Sequence, residues 1–321
     1  MTTLVLLPPH SESTADWQER LSAEVPEVTV LKPETEAEAI EALRTADAAH
    51  GYLTPEPLRH ASRLRWLQAP MAAPPPGFYH SELIAHPVQV TNMRDTYTDQ
   101  VAHHTLALVL ALARRLPRYI RYQTQARWEP DWGPDAVVPL AEISSLVVGV
   151  GAIGKEVGRL LAAFGTRVVG VDAGRTTSAP HFAEVHPAEE LDALLPTADF
   201  VILTIPHTPE TEGLFDAERF ALFKPSAYFV NIGRGPTTRL DDLIAALDKQ
   251  QIAGAALDVY ETEPLPADHP LWKREDVLLT PHVAGSGPHT DERRFDVLLE
   301  NTRRFAAGEE LINVVDKAQW H

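Results

Sequence analysis

The stretch Leu146-Val147-Val148-Gly149-Val150-Gly151-Ala152-Ile153-Gly154 decides the fold of this chain. Its first three residues form a short apolar run typical of a strand, and the glycines then follow the pattern GxGxxG. A helix, Lys155–Phe164, and a second strand, Arg167–Val171, are predicted next. The second strand ends at Asp172, close to the separation of about 20 residues that a dinucleotide-binding motif requires between its glycines and its acidic residue. The order of these parts predicts a dinucleotide-binding unit.

Each glycine of this motif meets a different need. Gly149 permits a tight turn, Gly151 lets the backbone approach a pyrophosphate, and Gly154 lets the helix pack close to the sheet. The helix N-terminus offers free N–H groups and a positive dipole end to the phosphates. Asp172 would accept hydrogen bonds from the adenosine ribose, and it repels a 2′-phosphate, so we expect NAD. Arg175 could partly offset that repulsion, so NADP stays possible; the alternative is that Arg175 is a solvated loop residue. The alternative for the glycine motif is a turn that binds no ligand.

Composition limits the classes of protein that this chain can belong to. Its 321 residues suggest about two domains. The net charge of -17 disfavours non-specific binding to nucleic acid or to anionic membranes. The absence of cysteine excludes disulfides, thiolate–zinc sites and cysteine nucleophiles, and we predict no metal site. No secretory signal or membrane span is recognisable in the sequence, so we expect a cytoplasmic protein.

Strands and helices alternate along most of the chain. This alternation predicts an α/β fold with two doubly wound parallel-sheet domains, Rossmann-like and flavodoxin-like, and an active-site cleft between them. A long helical stretch from Asp99 to about Gln123 should be interrupted at Pro117. A last helix, Asp291–Ala307, closed by Gly308, should precede a final strand, Leu311–Val315. The strands predicted near the start of the chain are Leu4–Leu7, Val28–Leu31, His50–Leu53, Arg65–Gln68 and Val88–Thr91.

Charged or imidazole side chains follow several of the later strands. In a doubly wound sheet, ligands bind beyond the carboxyl ends of the strands. Arg234 lies between two glycines, and guanidinium groups pair bidentately with carboxylates. His282 beside a carboxylate such as Glu263 would be stabilised as imidazolium and could donate a proton. Taken singly, each of the three could be structural; their joint placement favours chemistry. The later strands are Phe200–Ile205, Tyr228–Ile232, Ala253–Leu257 and Val277–Thr280.

These motifs together resemble the D-isomer-specific 2-hydroxyacid dehydrogenases, which include glyoxylate/hydroxypyruvate reductases. The resemblance is dense over residues 145–285, and Asn313-Val314-Val315-Asp316-Lys317 resembles the bacterial glyoxylate/hydroxypyruvate type. The matching segments are Gly149–Gly154 with Asp172, Ile205-Pro206-His207-Thr208-Pro209-Glu210-Thr211, Asn231-Ile232-Gly233-Arg234-Gly235, Gly254-Ala255-Ala256-Leu257-Asp258-Val259, Glu263-Pro264-Leu265-Pro266 and Thr280-Pro281-His282-Val283-Ala284.

The resemblance implies roles for individual residues. Arg234 would bind the substrate carboxylate and carbonyl oxygen, His282 would be the general acid/base, and Glu263 its carboxylate partner. It also implies a substrate-binding domain of residues 1–95 plus 287–321, with an NAD-binding domain of residues 96–286 inserted in it. The implied cofactor-binding residues are Gly149, Gly151, Ala152, Ile153, Gly154, Asp172, Ile205, Pro206, Thr211, Ile232 and Asp258, the last near the nicotinamide carboxamide.

The chain departs from the family in its substrate loop. In the family, the loop after the fourth strand offers backbone N–H groups to the substrate carboxylate, which makes Met71 and Ala72 the candidates here. Three prolines, residues 74–76, remove three of those donors, so the identity of the 2-keto acid stays open. Asp95 and His103 stand where many members carry Gly and Glu.

The resemblance implies NAD(P)H-dependent reduction of a small 2-keto acid, such as glyoxylate or hydroxypyruvate, to a D-2-hydroxy acid, or the reverse. The alternatives are a formate- or phosphite-type dehydrogenase of the same fold and an NAD(H)-sensing protein that resembles the C-terminal-binding corepressors. We also expect a homodimer, because the stretch from Val101 to Leu116 is apolar most of the way round and Trp128 and Trp132 follow it. Burial of this stretch between the domains of one monomer is the alternative.

Overall fold

The computed structural model describes residues 2–74, 77–133, 137–174 and 178–320. The chain divides into two compact units, one of Met1–Tyr97 with Gly287–His321 and the other of Thr98–Ser286. Arg175, Pro75 and Pro76, on which parts of the sequence interpretation rest, lie outside the described residues. In the described part of the chain, no helix combines the length and the apolarity needed to cross a membrane.

Short strands alternate with helices in both units. The strands are β1 (Thr2–Leu6), β2 (Val28–Leu31), β3 (Ala48–His50), β4 (Trp66–Gln68), β5 (Gln89–Thr91), β6 (Ser144–Val148), β7 (Arg167–Val171), β8 (Glu184–His186), β9 (Phe200–Leu203), β10 (Tyr228–Asn231), β11 (Gly254–Leu257) and β12 (Val277–Leu279). The helices are α1 (Trp17–Glu24), α2 (Glu36–Leu43), α3 (Pro55–His60), α4 (Ser81–Ala85), α5 (Thr98–Ala113), α6 (Leu116–Thr124), α7 (Ala152–Ala163), α8 (Leu191–Leu194), α9 (Ala217–Phe220), α10 (Leu240–Asp248) and α11 (Thr290–Ala307).

The first unit is built on a five-stranded parallel sheet of order β2-β1-β3-β4-β5. Successive side chains of a strand point to opposite faces, so Leu4 and Leu6 enter one core with α1 and α11, whereas Val5 enters another with α2 and α4. Burial on both faces explains why the second half of β1, Leu4 to Leu6, is apolar at every position. The sheet has the flavodoxin-like strand order.

A buried polar network joins α11 to this sheet. Asn301 donates from Nδ2 to Gln68 Oε1 at 3.0 Å, and Thr91 donates to the same oxygen at 2.8 Å. Asn301 Oδ1 also accepts the N–H of Ile312 at 2.8 Å. Buried polar groups need hydrogen-bond partners, and these bonds supply them while they hold α11 against the sheet. Gly308, predicted to close the last helix, ends α11 in a left-handed conformation with φ 73.

The second unit is built on a seven-stranded parallel sheet of order β12-β11-β10-β9-β6-β7-β8. The chain starts at β6 in the middle, moves out to β8, and returns to the other side at β9. The strand order therefore reverses between β6 and β9, which makes their carboxyl ends the topological switch point where ligands bind in such sheets. The predicted α/β fold with two doubly wound parallel sheets is confirmed.

Several of the strand boundaries predicted from the sequence were wrong. The strand predicted at His50–Leu53 lies earlier, at Ala48–His50, and β8 was not predicted. The tail predicted as a strand at Leu311–Val315 forms a single antiparallel bridge between Thr91 and Val314.

The long helix predicted from Asp99 breaks before Pro117 rather than at it. Arg115 takes a left-handed conformation with φ 52, and α6 then begins at Leu116. Proline is tolerated in the first turn of a helix, because the N–H it lacks has no intrahelical acceptor there. The proline therefore belongs to the start of the second helix.

Candidate active site

The glycine loop lies where the motif predicts, between β6 and α7. Gly149 has φ 99, and a Cβ at Gly154 would lie 1.9 Å from the carbonyl oxygen of Gly149, so only glycine fits either position. At Gly151, by contrast, a Cβ would meet no atom within 4 Å. Gly151 is the N-cap of α7, and the first-turn N–H groups of Ala152 and Ile153 have no intrahelical acceptor. The open space and these donors fit the pyrophosphate of a dinucleotide.

Asp172 directly follows β7 beside this loop. Its Oδ2 accepts the N–H of Val150 at 2.6 Å, and its Oδ1 accepts the N–H of Gly174 at 2.9 Å. Each carboxylate oxygen has two lone pairs, so each still has one with which to accept a ribose hydroxyl. The two backbone hydrogen bonds hold the carboxylate in place.

The carboxyl end of β9 meets the glycine loop across the switch point. Thr204, which sequence reasoning missed, donates its hydroxyl to the carbonyl of Gly149 at 2.6 Å. Ile205 lies against Gly149, with its Cγ2 placed 2.9 Å from a Cβ built there. Thr211 donates to the carbonyl of Pro206 at 2.8 Å and accepts the N–H of Thr208 at 2.8 Å. The predicted cofactor-binding residues of this segment thus form one ordered turn.

Arg234 is held between the ends of two strands by its flanking glycines. A Cβ at Gly233 would lie 2.5 Å from the carbonyl oxygen of Ile205, and one at Gly235 would lie 1.8 Å from that of Tyr260. Ile232, just before, is 5% exposed. The close backbone contacts, rather than turn conformation, explain why glycine occupies both flanking positions.

The Arg234 turn is also supported by a buried amide that sequence reasoning missed. Asn231, which is 0% exposed, accepts the N–H of Gly233 at 3.0 Å and donates to the carbonyl of Arg234 at 3.2 Å. The Arg234 side chain is half-buried and donates from Nη1 to the carbonyl of Gly233 at 2.6 Å. The sequence signals for Asn231 are its place in the predicted strand and in the segment Asn231-Ile232-Gly233-Arg234-Gly235 that matches the family, but neither shows its hydrogen bonds.

His282 and Glu263 form the predicted pair. His282 Nδ1 lies 2.6 Å from Glu263 Oε2, and Glu263 Oε1 accepts the N–H of Tyr260 at 2.9 Å. Because an ionised carboxylate only accepts hydrogen bonds, Nδ1 carries the hydrogen, which leaves Nε2 as the ring atom that can exchange a proton with a ligand. The side chains are 46% and 36% exposed. Glu261 is not an alternative partner, because its Oε2 accepts the N–H of Leu240 at 2.7 Å.

Asp258 follows β11 and is 1% exposed. Its carboxylate accepts the hydroxyl of Thr280 at 2.6 Å and the N–H groups of Val283 and Ala284 at 3.0 and 2.9 Å. Burial raises the pKa of Tyr260, whose hydroxyl stays protonated and donates to the carbonyl of Thr280 at 2.9 Å. Both residues therefore hold the segment around His282.

Met71 and Ala72 belong to the first unit. The carbonyl of Ala72 accepts the side-chain amide of Asn92 at 2.8 Å, and that of Met71 accepts the N–H of Met93 at 3.4 Å. These bonds anchor the loop after β4. Asp95, which stands where many family members carry Gly, has φ 71 and so keeps the left-handed backbone that glycine favours.

Comparison with known proteins assigns the family. The family model described as D-isomer specific 2-hydroxyacid dehydrogenase, NAD binding domain, matches residues 106–284, more than half of the chain. The chain belongs to this family. The family and enzyme class predicted from sequence, an oxidoreductase with an NAD-binding domain, are thereby confirmed.

Three similar proteins illustrate the match of this dehydrogenase to its relatives. It is 33% identical to a glyoxylate reductase of Thermofilum pendens over 73% of its own length and 70% of that protein. A D-isomer specific 2-hydroxyacid dehydrogenase from Xanthobacter autotrophicus, solved with NADPH and MES, has a TM-score of 0.82 at 30% identity, covering 100% of this chain and 99% of the other. An NADPH-dependent glyoxylate/hydroxypyruvate reductase from Sinorhizobium meliloti, solved with NADP and sulfate, has a TM-score of 0.82 at 26% identity, covering 100% of both chains.

Proposed function

We propose that this dehydrogenase reduces a small 2-keto acid, of the size of glyoxylate or hydroxypyruvate, to the D-2-hydroxy acid with NADH. The observation that carries the proposal is the 2.6 Å contact between His282 Nδ1 and Glu263 Oε2 in the same unit as the Arg234 turn. A proton donor and a cation that binds carboxylates are the two groups that reduction of a keto acid requires. The names of the relatives support this substrate class.

The chain's own residues bind the substrate, polarise its carbonyl group and transfer the proton. Bound NADH supplies the hydride that adds to the carbonyl carbon. Arg234 anchors the substrate carboxylate and polarises the carbonyl oxygen through its guanidinium fork. His282 transfers a proton from Nε2 to that oxygen, and Glu263 stabilises the imidazolium that does so. In the reverse direction, neutral His282 accepts the proton from the hydroxyl.

The cofactor is proposed to be NADH rather than NADPH. Asp172 holds a negative charge where a 2′-phosphate would bind, and two backbone N–H groups keep it there. One such repulsion weakens binding by about 1–3 kcal/mol at an effective dielectric near 20. The two solved relatives described above hold NADPH or NADP, so this preference would separate the present enzyme from them.

We propose further that residues 96–286 bind the cofactor and that residues 1–95 with 287–321 bind the substrate through Met71 and Ala72. Support for the first part is the location of the glycine loop and Asp172 within Thr98–Ser286. Support for the second is the anchored loop after β4, whose backbone Asn92 and Met93 hold.

We also propose that the enzyme is a homodimer. Leu116, Ile120, Trp128 and Trp132 are 45%, 55%, 92% and 89% exposed, which is unusual for large apolar side chains that are close in sequence. The apolar stretch predicted as the dimer contact lies mostly on α5, where Val101, Leu108 and Leu112 are buried in the monomer. We therefore propose that the partner binds the segment after α5, which carries the four exposed side chains, rather than α5 itself.

The proposal is tested by measuring the turnover of 2-keto acids by the wild-type protein and by a variant that lacks the proton donor His282. The purified protein is mixed with NADH and a panel of 2-keto acids, and the nicotinamide absorbance is followed together with the chirality of the product. His282→Asn should keep NADH binding, because the cofactor residues are elsewhere, and should lower turnover by roughly 10²–10⁴-fold. Absence of NADH oxidation with every acid would contradict the proposal and favour an NAD(H)-sensing role.

A further inference from the structure

The segment that carries His282 is attached on both sides to one buried carboxylate. Asp258 Oδ1 accepts the hydroxyl of Thr280 at 2.6 Å and the N–H of Val283 at 3.0 Å, and Oδ2 accepts the N–H of Ala284 at 2.9 Å. One donor precedes His282 and two follow it. The carboxylate, 1% exposed, is thus a fixed point from which the histidine's backbone is held.

His104 extends this group from α5. Its Nε2 lies 3.0 Å from the hydroxyl oxygen of Thr280 and 3.6 Å from Asp258 Oδ1. A carboxylate can only accept, so the single hydrogen of the Thr280 hydroxyl goes to Asp258. The same hydroxyl therefore accepts from His104, whose Nε2 must carry a hydrogen. Donation runs in one direction, from His104 through Thr280 to Asp258.

The conformation of His282 explains why such support is needed. Its φ is 54, a left-handed value that costs energy in a residue with a Cβ. Such a conformation persists only where surrounding structure over-determines it. The His282 side chain is 46% exposed, so packing around the ring is a weak restraint, and the hydrogen bonds on either side of the residue supply the constraint.

We propose that His104, Thr280 and Asp258 are positioning residues that hold the backbone of His282 so that Nδ1 meets Glu263 and Nε2 is directed to the substrate. This inference rests on the proposed role of His282 as proton donor. The inference gives Asp258 a role in addition to the nicotinamide contact that the family resemblance implies. Thr280 and His104 had no role in the proposed function, and the inference gives each of them one.

The matched pair Thr280→Val and Thr280→Ser tests the proposal. Valine has the shape of threonine without the hydroxyl, whereas serine keeps the hydroxyl. We expect Thr280→Val to lower kcat by about 10–100-fold, the value of one hydrogen bond to a charged group. Thr280→Ser should stay within a few-fold of the wild type, and NADH affinity, measured by fluorescence, should change little in either variant. Melting temperature confirms that both are folded.

A double-mutant cycle shows whether the effect passes through His282. In the His282→Asn background the proton donor is absent, so Thr280→Val should have almost no further effect on kcat. An equal loss in both backgrounds, or a Thr280→Ser variant as impaired as Thr280→Val, would overturn the proposal. So would a fall in NADH affinity that matches the loss of activity, because the hydroxyl would then act through the cofactor.

A measurement without substrate separates this inference from the proposed function. With ¹⁵N-labelled histidine, the Nδ1–H of His282 in its bond to Glu263 should give a slowly exchanging NMR signal in the wild type and in Thr280→Ser. We expect it to exchange faster in Thr280→Val. An unchanged signal refutes the positioning role even if no 2-keto acid is reduced.

A second pair of variants tests His104 in the same way. His104→Gln keeps an N–H donor and His104→Leu does not, so the exchange of the His282 Nδ1–H should be faster in His104→Leu than in His104→Gln.

Discussion

Replacing Glu263 by Gln should lower the rate of keto-acid reduction. In the wild type, Glu263 Oε2 faces His282 Nδ1 at 2.6 Å while Oε1 accepts the N–H of Tyr260. A glutamine has one oxygen for these two donors. If that oxygen keeps the bond to Tyr260, the amide NH₂ faces Nδ1, and imidazolium then meets a donor instead of an acceptor. The substitution therefore removes a charge and also reverses a hydrogen bond.

The size of the loss follows from the distance and the exposure. Two unit charges 2.6 Å apart interact by about 6 kcal/mol at an effective dielectric near 20. Both side chains are more than a third exposed, so screening leaves about 1 kcal/mol. The imidazolium that donates the proton loses the carboxylate that faces it, so kcat/KM should fall by about 5-fold.

The assay is kcat/KM for keto-acid reduction, with Glu261→Gln as the control. Glu261 caps α10 by accepting the N–H of Leu240, so its replacement should leave kcat/KM in place and cost a little stability. A wild-type kcat/KM in Glu263→Gln, or an equal loss in Glu261→Gln, would refute the reasoning.

Three other expectations concern the cofactor, the subunit contact and stability. Asp172→Ser should raise the affinity for NADPH relative to NADH by about 10-fold or more, since about 1.4 kcal/mol of repulsion is removed; unchanged Michaelis constants for both cofactors would mean that Asp172 does not face the ribose. Sedimentation should show a dimer at micromolar concentration, and replacing Trp128 and Trp132 by Ser should yield monomers; a wild-type monomer would refute the interface. Burial lowers the pKa of His50 from 6.5 to about 4, so the neutral form is favoured in the fold and stability should fall as pH drops from 6.5 towards 4. His50→Gln should lose less melting temperature than the wild type over that range, and parallel curves for the two proteins would contradict the assignment.

Much of the second unit was predictable because its information is local. The glycine spacing, the acidic residue after β7 and the apolar runs each act over a few residues, and parallel strands bring their carboxyl ends to one edge of the sheet. Arg234, Asp258 and His282 were therefore placed on that edge without knowledge of the tertiary structure. Strand β8 escaped prediction because only its middle residue, Val185, is buried and no apolar run marks it.

Hydrogen-bond partners could not be predicted in the same way. His104 meets Thr280 at 3.0 Å across 176 residues of sequence, and nothing near either residue signals the other. Likewise the break before Pro117 depends on how Arg115 turns. The tail beyond α11 contacts β5 at the bridge between Val314 and Thr91 and through the N–H of Val315, which donates to the carbonyl of Val90 at 2.9 Å.

The partner of His282 shows the division most clearly. The parallel sheets, the glycine loop and the acidic segment after β11 follow from the sequence alone, because period, spacing and steric need are properties of neighbouring residues. For the partner of His282, the sequence offered Glu263 only through the resemblance to the family. The contact itself is set by the tertiary structure, which places Glu261 at the start of α10 and Glu263 opposite His282. A side chain's partner depends on where distant segments meet, and that is set by the packing of the whole unit.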